Sequence, residues 1–159
     1  MAQYSYLVKN PMKYAGDPNR VIARSKWELM YMQALDTSPM VRKWVSEPKN
    51  LGISYINPLD RKVHKYWPDF LVQYVDGNVE ILEIKPLNKT LAENTTSTYD
   101  KIMLAQNISK WAAADRFARA IGAKFRVITE KTLFRQKTTR QAKPSNPSVP
   151  ARKPKGPKK

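Results

Sequence analysis

The chain has 159 residues, 42% hydrophobic and 26% charged, which fits one folded domain with residues to spare and excludes wholesale disorder. It carries no cysteine and one histidine, His64, so disulfides, thiolate zinc sites, thiol nucleophiles and multi-histidine metal sites are excluded, and a serine–histidine–aspartate hydrolase is a poor fit. Lysine and arginine total 29 against 13 acids, a net charge of +16, which calls for a polyanionic partner: nucleic acid first, an anionic membrane surface second.

No run approaches the roughly 18 apolar residues of a membrane helix, and the start lacks the apolar core of a signal peptide. A soluble, unexported protein is the expectation. Residues 1–24 mix Tyr4, Tyr6 and Tyr14 with lysine and proline, and read as an extended segment lying on the surface. Ser25 through Glu28 has the form of a capping box, in which a hydroxyl and a carboxylate satisfy the first amides of a helix. Trp27, Tyr31, Ala34 and Leu35 follow at helical spacing, and Thr37-Ser38-Pro39 stops the helix.

Residues 41–46 and 51–56 read as strands separated by a turn at Pro48–Asn50, with a second turn at 57–60. The run from Val63 to Val75, the turn Asp76-Gly77-Asn78 and the run from Val79 to Lys85 form the clearest β-hairpin signal, closed by Pro86. Residues 87–98 are polar and are expected to be mobile. Leu104, Ile108, Trp111, Ala114, Ala118 and Ile121 then make one apolar helical face, with Gly122 at its C-cap. A strand at 124–129 and a short helical turn at 131–135 complete a mixed α/β domain over residues 1–135.

Residues 136–159 hold eight lysines and arginines, no acid and five prolines, so they are expected to form a disordered, partly polyproline-like basic arm. Without it the chain still has 21 basic and 13 acidic residues.

Chemistry concentrates on the hairpin. Glu83 and Lys85 are two apart on a strand and share a face, with Ile84 on the other. A three-residue loop at 76–78, pairing Val75 with Val79, would set Asp69 opposite Lys85 and diagonal to Glu83, whereas a two-residue loop would split the set. Asp69, Glu83 and the Ile84 carbonyl could then offer hard oxygen ligands to Mg²⁺, with Mn²⁺ able to substitute, and Lys85 could steady the nucleophile or the scissile phosphate. Two carboxylates ~4 Å apart repel by ~4 kcal/mol at an effective dielectric of 20, a cost that a cation relieves. The competing reading makes Glu83 and Lys85 solvated face residues and Asp69 a strand-end residue. For Glu28, the helix cap alone accounts for the carboxylate.

Pro68-Asp69 followed after 13 residues by Glu83-Ile84-Lys85 has the form of the PD-(D/E)XK nuclease motif. With Ser25–Leu29 upstream, and with Lys110–Ala114 and Phe125–Glu130 downstream, the chain resembles TnsA-type endonucleases over about residues 20–130. From its first residues onward it is also similar to the head-completion nucleases of T-even-like tailed phages. The resemblance implies a restriction-endonuclease-like core, a mixed β-sheet flanked by helices, and Mg²⁺-dependent DNA phosphodiester cleavage. It implies Glu28, Asp69 and Glu83 as metal ligands and Lys85 as the catalytic lysine. Some TnsA-type relatives carry glutamine at the position of Glu83, and the carboxylate here favours a working site. Action in the cytoplasm of an infected bacterium or in the virion head follows, with capsid, portal or neck proteins as further partners.

Lys110 on the long helix and Lys137, Arg140, Lys143, Arg152, Lys153 and Lys155 on the arm are the candidate DNA phosphate contacts, against a reading in which they serve only solubility. Of Trp27, Trp44, Trp67 and Trp111, most are expected in the core, with stacking on unpaired bases as the alternative. His64 is assigned no chemistry. A double-strand cut by one site per chain would call for two chains, so a dimer is one arrangement this reading admits. Two competing functions are a non-catalytic DNA-binding capsid-completion protein on a nuclease scaffold, and an RNA-binding module that uses its aromatics.

Overall fold

The computed structural model describes residues 2–86 and 97–132. In chain order it contains β1 (Tyr4–Ser5), a 3-10 turn (Pro11–Lys13), β2 (Ile22–Ala23), α1 (Lys26–Thr37), β3 (Val41–Ser46), β4 (Ser54–Ile56), β5 (Val63–Lys65), β6 (Phe70–Tyr74), β7 (Val79–Ile84), α2 (Thr98–Ala120) and β8 (Lys124–Ile128). The central sheet has the order β3-β6-β7-β8. Its first two pairings are antiparallel, while β7 and β8 run parallel across the α2 crossover. The mixed sheet flanked by helices is the fold class read from the sequence. Among the described residues no helix is long and apolar enough to cross a membrane.

Alternation along the strands gives each sheet face its own core. Phe70, Val72, Leu82 and Ile84 pack toward Tyr31, Met32 and Leu35 of α1. Ile81 packs on the opposite side with Ala113, Ala114 and Ala118 of α2 and with Ile53, Tyr55 and Tyr66. The central strand β7 is therefore buried from Ile81 to Ile84, as a strand covered on both faces must be.

Four expectations change. The first 24 residues are not a surface layer: Tyr6, Val8, Tyr14, Val21 and Ala23 are buried in the α1-side core. Asp36, fully buried, draws them in by accepting from the Tyr6 hydroxyl at 2.6 Å and the Lys9 amide at 2.7 Å. The run from Val63 is two strands, since β5 pairs with β4 in a separate hairpin and the chain is irregular from Tyr66 to Asp69. Pro68 has no N–H to donate to a ladder, which makes it a natural break. His64 thus sits apart from Asp69, 2.7 Å from Asp60. Ile108 on α2 and Ile121 just past its end are exposed although they belong to the apolar stripe, because the helix packs through its small alanines.

The hairpin register also differs. Gln73, not Val75, pairs with Val79, because the Val75 amide is spent on the Met40 carbonyl at 2.9 Å. The Tyr74 amide donates to Asn78 O at 2.8 Å, and Gly77 takes the positive φ of 89° that the turn needs. The shift is two residues, so the phase of the faces survives. Continuing the pairing of Phe70 with Leu82 brings Asp69 beside Glu83 rather than opposite Lys85. Gly122 has φ of 75° at the end of α2, as its C-cap role requires. The mobile segment expected over residues 87–96 and everything expected beyond residue 132 lie outside the described residues.

Candidate active site

The site forms where β6 begins and β7 ends. Asp69 stands just before β6, where its carbonyl accepts from the Glu47 amide at 2.8 Å and its Oδ2 accepts from the Ile84 amide at 2.7 Å. Its carboxylate is thereby clamped across the end of the hairpin, and the residue lines a cleft of about 440 Å³ with Arg24, Glu47, Lys49 and Trp67. Glu83 is buried on the adjacent strand and accepts from the Tyr66 hydroxyl at 2.6 Å. Burial pushes the Asp69 carboxyl well above the usual carboxylate range, and the nearby charges of Glu83 and Glu28 push the same way. Burial also raises Glu83, opposed by the Tyr66 hydrogen bond and by the charges of Lys85 and Lys110.

Glu28 arrives from α1. Ser25 Oγ accepts from the Glu28 amide at 3.1 Å, and Glu28 Oε2 accepts in return from the Arg24 amide at 3.1 Å, so the capping box forms with its return bond one residue early. Capping and the site are compatible, because the same carboxyl is raised by burial and by Glu47 while Lys85 acts against that rise. Lys110 lies half-buried on α2 with Nζ 5.7 Å from the centre of the Tyr55 ring, and its charge reaches Glu83. The structure therefore brings Glu28, Asp69, Glu83, Lys85 and Lys110 into one electrostatic neighbourhood. The arm residues Lys137, Arg140, Lys143, Arg152, Lys153 and Lys155 lie outside the described residues.

Among the described residues no three acids or histidines form a ready-made metal cage. Mg²⁺ does not need one, since one or two carboxylates, waters and a substrate phosphate commonly hold it. Asp69, whose carboxylate reaches the Ile84 backbone at its amide, and Glu83 are two partly desolvated hard-oxygen donors that fit that demand.

A model of the TnsA-like endonuclease N-terminal domain matches residues 38–130, from β3 through β8. The chain belongs to the TnsA-like endonuclease family. The family match spans Asp69, Glu83, Lys85 and Lys110, while Glu28 on α1 precedes it. The chain is also similar to the head completion nuclease of Enterobacteria phage T4, at 33% identity over 138 residues that cover 80% of this chain and 91% of that protein.

Two residues of this family member's site carry no sequence signal of their own. Tyr66 reads as one more core aromatic, and only the fold aims its hydroxyl at Glu83. Glu47 adopts φ of 49°, a left-handed conformation that non-glycine residues seldom take. Its amide clamps the Asp69 carbonyl while its carboxylate pairs with Arg24 Nε at 2.7 Å.

Proposed function

We propose that the chain is a divalent-metal-dependent DNA endonuclease that hydrolyses phosphodiester bonds during head completion and DNA packaging in a tailed phage. The observation that carries this reading is the packing of Asp69 beside Glu83 in a partly desolvated setting, with Lys85 on the same face. A stable fold gains nothing from two adjacent buried carboxylates unless a cation or a reaction uses them. The T4 relative's name supports the assignment to head completion. Residues 1–135 would form the nuclease domain, and the basic arm at 136–159 would hold DNA phosphates or an acidic capsid or neck surface.

Asp69, Glu83 and the Ile84 carbonyl would hold Mg²⁺ or Mn²⁺, with Glu28 bearing on its surroundings from α1. When bound, the metal supplies a water of lowered pKa and neutralises charge on the phosphate. The chain's own residues do the rest. The Ile84 amide and the Tyr66 hydroxyl fix the two carboxylates in place. Lys85 presents its ammonium to the charge that develops on the phosphate, and Lys110 adds a second cation near Glu83.

Cleavage of DNA by the purified protein should require Mg²⁺ or Mn²⁺ and stop in EDTA. Lys85→Ala should lower the rate about 10²- to 10³-fold, the usual loss when one group stabilising the transition state is removed. Metal-independent cutting, or Lys85→Ala cutting at the parental rate, would sink the mechanism. No cleavage of any DNA form, with salt-sensitive binding retained, would favour the non-catalytic scaffold.

Tyr66→Phe tests a positioning role. It removes only the hydroxyl that orients Glu83, so the half-saturating Mg²⁺ concentration should rise about 10- to 100-fold, as is typical when an outer partner of a ligand is lost. A Mg²⁺ titration of cleavage reads this directly, and an unchanged midpoint would leave Tyr66 a structural residue only.

A further inference from the structure

Trp67 lies inside the motif segment but outside both cores. Its neighbours Tyr66 and Pro68 are buried, whereas Trp67 itself is 56% exposed. The backbone on either side is pinned, since the Tyr66 amide donates to Ile53 O at 2.9 Å and the Asp69 carbonyl accepts from Glu47 at 2.8 Å. The segment thus holds a large flat indole out toward water on a fixed mount.

Two clefts meet at this residue. One of about 440 Å³ leads to Asp69 and includes Arg24 and Lys49. The other, of about 420 Å³, includes Ser54, Lys65 and Tyr66. Lys49 and Trp67 line both, so the two adjoin at the indole to make a groove that reaches Asp69. Its walls carry Arg24, Lys49 and Lys65, and the acid beside Arg24, Glu47, is paired with it.

Cations spaced along a groove match a phosphate backbone. An exposed indole at the centre matches an unpaired base, which offers a π face to stack on. In an intact duplex the bases stack on each other and present only edges and sugar–phosphate. We propose that the groove seats a single-stranded segment of DNA, with one base stacked on Trp67 and its phosphates on Lys49 and Lys65, so that an unpaired end or overhang is the form delivered to Asp69. The inference rests on the nuclease reading and names the substrate form of that same site. Stacking tolerates any base, so no sequence preference follows.

Binding tests this apart from cleavage. Full-length Asp69→Asn protein is titrated by fluorescence anisotropy with a labelled single strand and a blunt duplex of equal length. In that background Trp67→Ala should weaken the single strand about tenfold or more, while the duplex changes less than about twofold. Trp67→Phe should restore most of the loss. The basic arm contributes to parent and variant alike and cancels in their ratio. An equal loss on both DNA forms, or no loss on the single strand, overturns the proposal, and the latter leaves the indole to a protein partner. Cleavage of the same strands by protein that retains Asp69 separates the two readings. Trp67-dependent binding without cleavage removes the nuclease and keeps the groove, whereas cleavage indifferent to Trp67 does the reverse.

Discussion

Asp69→Asn should cut DNA at least about 10³-fold more slowly than the parent, yet fold at least as stably when no metal is present. The substitution keeps the shape and one acceptor oxygen. An asparagine Oδ1 can still take the Ile84 amide that Asp69 Oδ2 holds at 2.7 Å, so the clamp across the hairpin end survives. What disappears is a charge that burial, Glu83 and Glu28 all work against. Removing it relieves repulsion in the metal-free protein, and a gain of about 1 kcal/mol would raise Tm by about 3–5 °C. Mg²⁺ should act in the opposite sense. A ligand that binds only the folded state at a hundred times its Kd stabilises by about 2.7 kcal/mol, which should appear in the parent and vanish in the variant. Thermal melts with and without Mg²⁺, beside a cleavage assay, check all three statements. Cleavage within about tenfold of the parent, or an equal Mg²⁺ shift in both proteins, would place the metal elsewhere.

Glu28, Asp69, Glu83 and Lys85 are legible in the sequence because the signals that mark them are local. Ser25 and Glu28 are three residues apart, and the cap they form depends on one turn of backbone. Asp69, Glu83 and Lys85 share a face by parity, and parity survived a two-residue error in register. An odd shift would have sent Asp69 to the face of Ile84. The break at Pro68 is hidden for the same reason that makes the hairpin legible. Alternating apolar residues mark a strand, but they do not say where a proline divides it.

The rest was set by distant partners. Tyr6 and Tyr14 look like surface aromatics beside Lys9 and Lys13, and nothing within their own segment announces a buried acceptor in α1. Tyr66 becomes a site residue only because β7 lies against it, and Glu47 only because its amide meets Asp69. The stripe on α2 was legible as a stripe, but its depth was not. Where the helix packs beside Ile81, Ala113, Ala114 and Ala118 make the contact, and the larger Ile108 and Ile121 are left outside. Helical periodicity reports direction and says nothing of distance.

The largest stability effect should come from Asp36, which the sequence did not single out. It is fully buried and stands near the C-terminal end of α1. Its carboxylate accepts from the Tyr6 hydroxyl at 2.6 Å, the Lys9 amide at 2.7 Å and the Asn10 amide at 3.2 Å. Its carbonyl accepts from Asn10 Nδ2 at 2.8 Å and from Lys13 Nζ at 3.0 Å. Asp36→Ala strands the carboxylate's donors, leaves Lys13 without its counter-charge and opens a cavity. Loss of one partner from such a buried charged network costs about 3–5 kcal/mol, a large part of the 5–15 kcal/mol that holds a typical domain together. In urea the midpoint should fall by on the order of 2 M with little change in slope. Tyr6→Phe, which removes a single donor, should cost only about 1 kcal/mol. Activity should fall with Asp36→Ala even where the protein is still folded, because the same knot sets the position of α1 and hence of Glu28 at its other end. Comparing cleavage at temperatures well below each protein's melting transition separates that effect from unfolding. A midpoint within about 0.5 M of the parent would mean that the opening segment is held by its aromatic contacts with Trp44 rather than by this carboxylate.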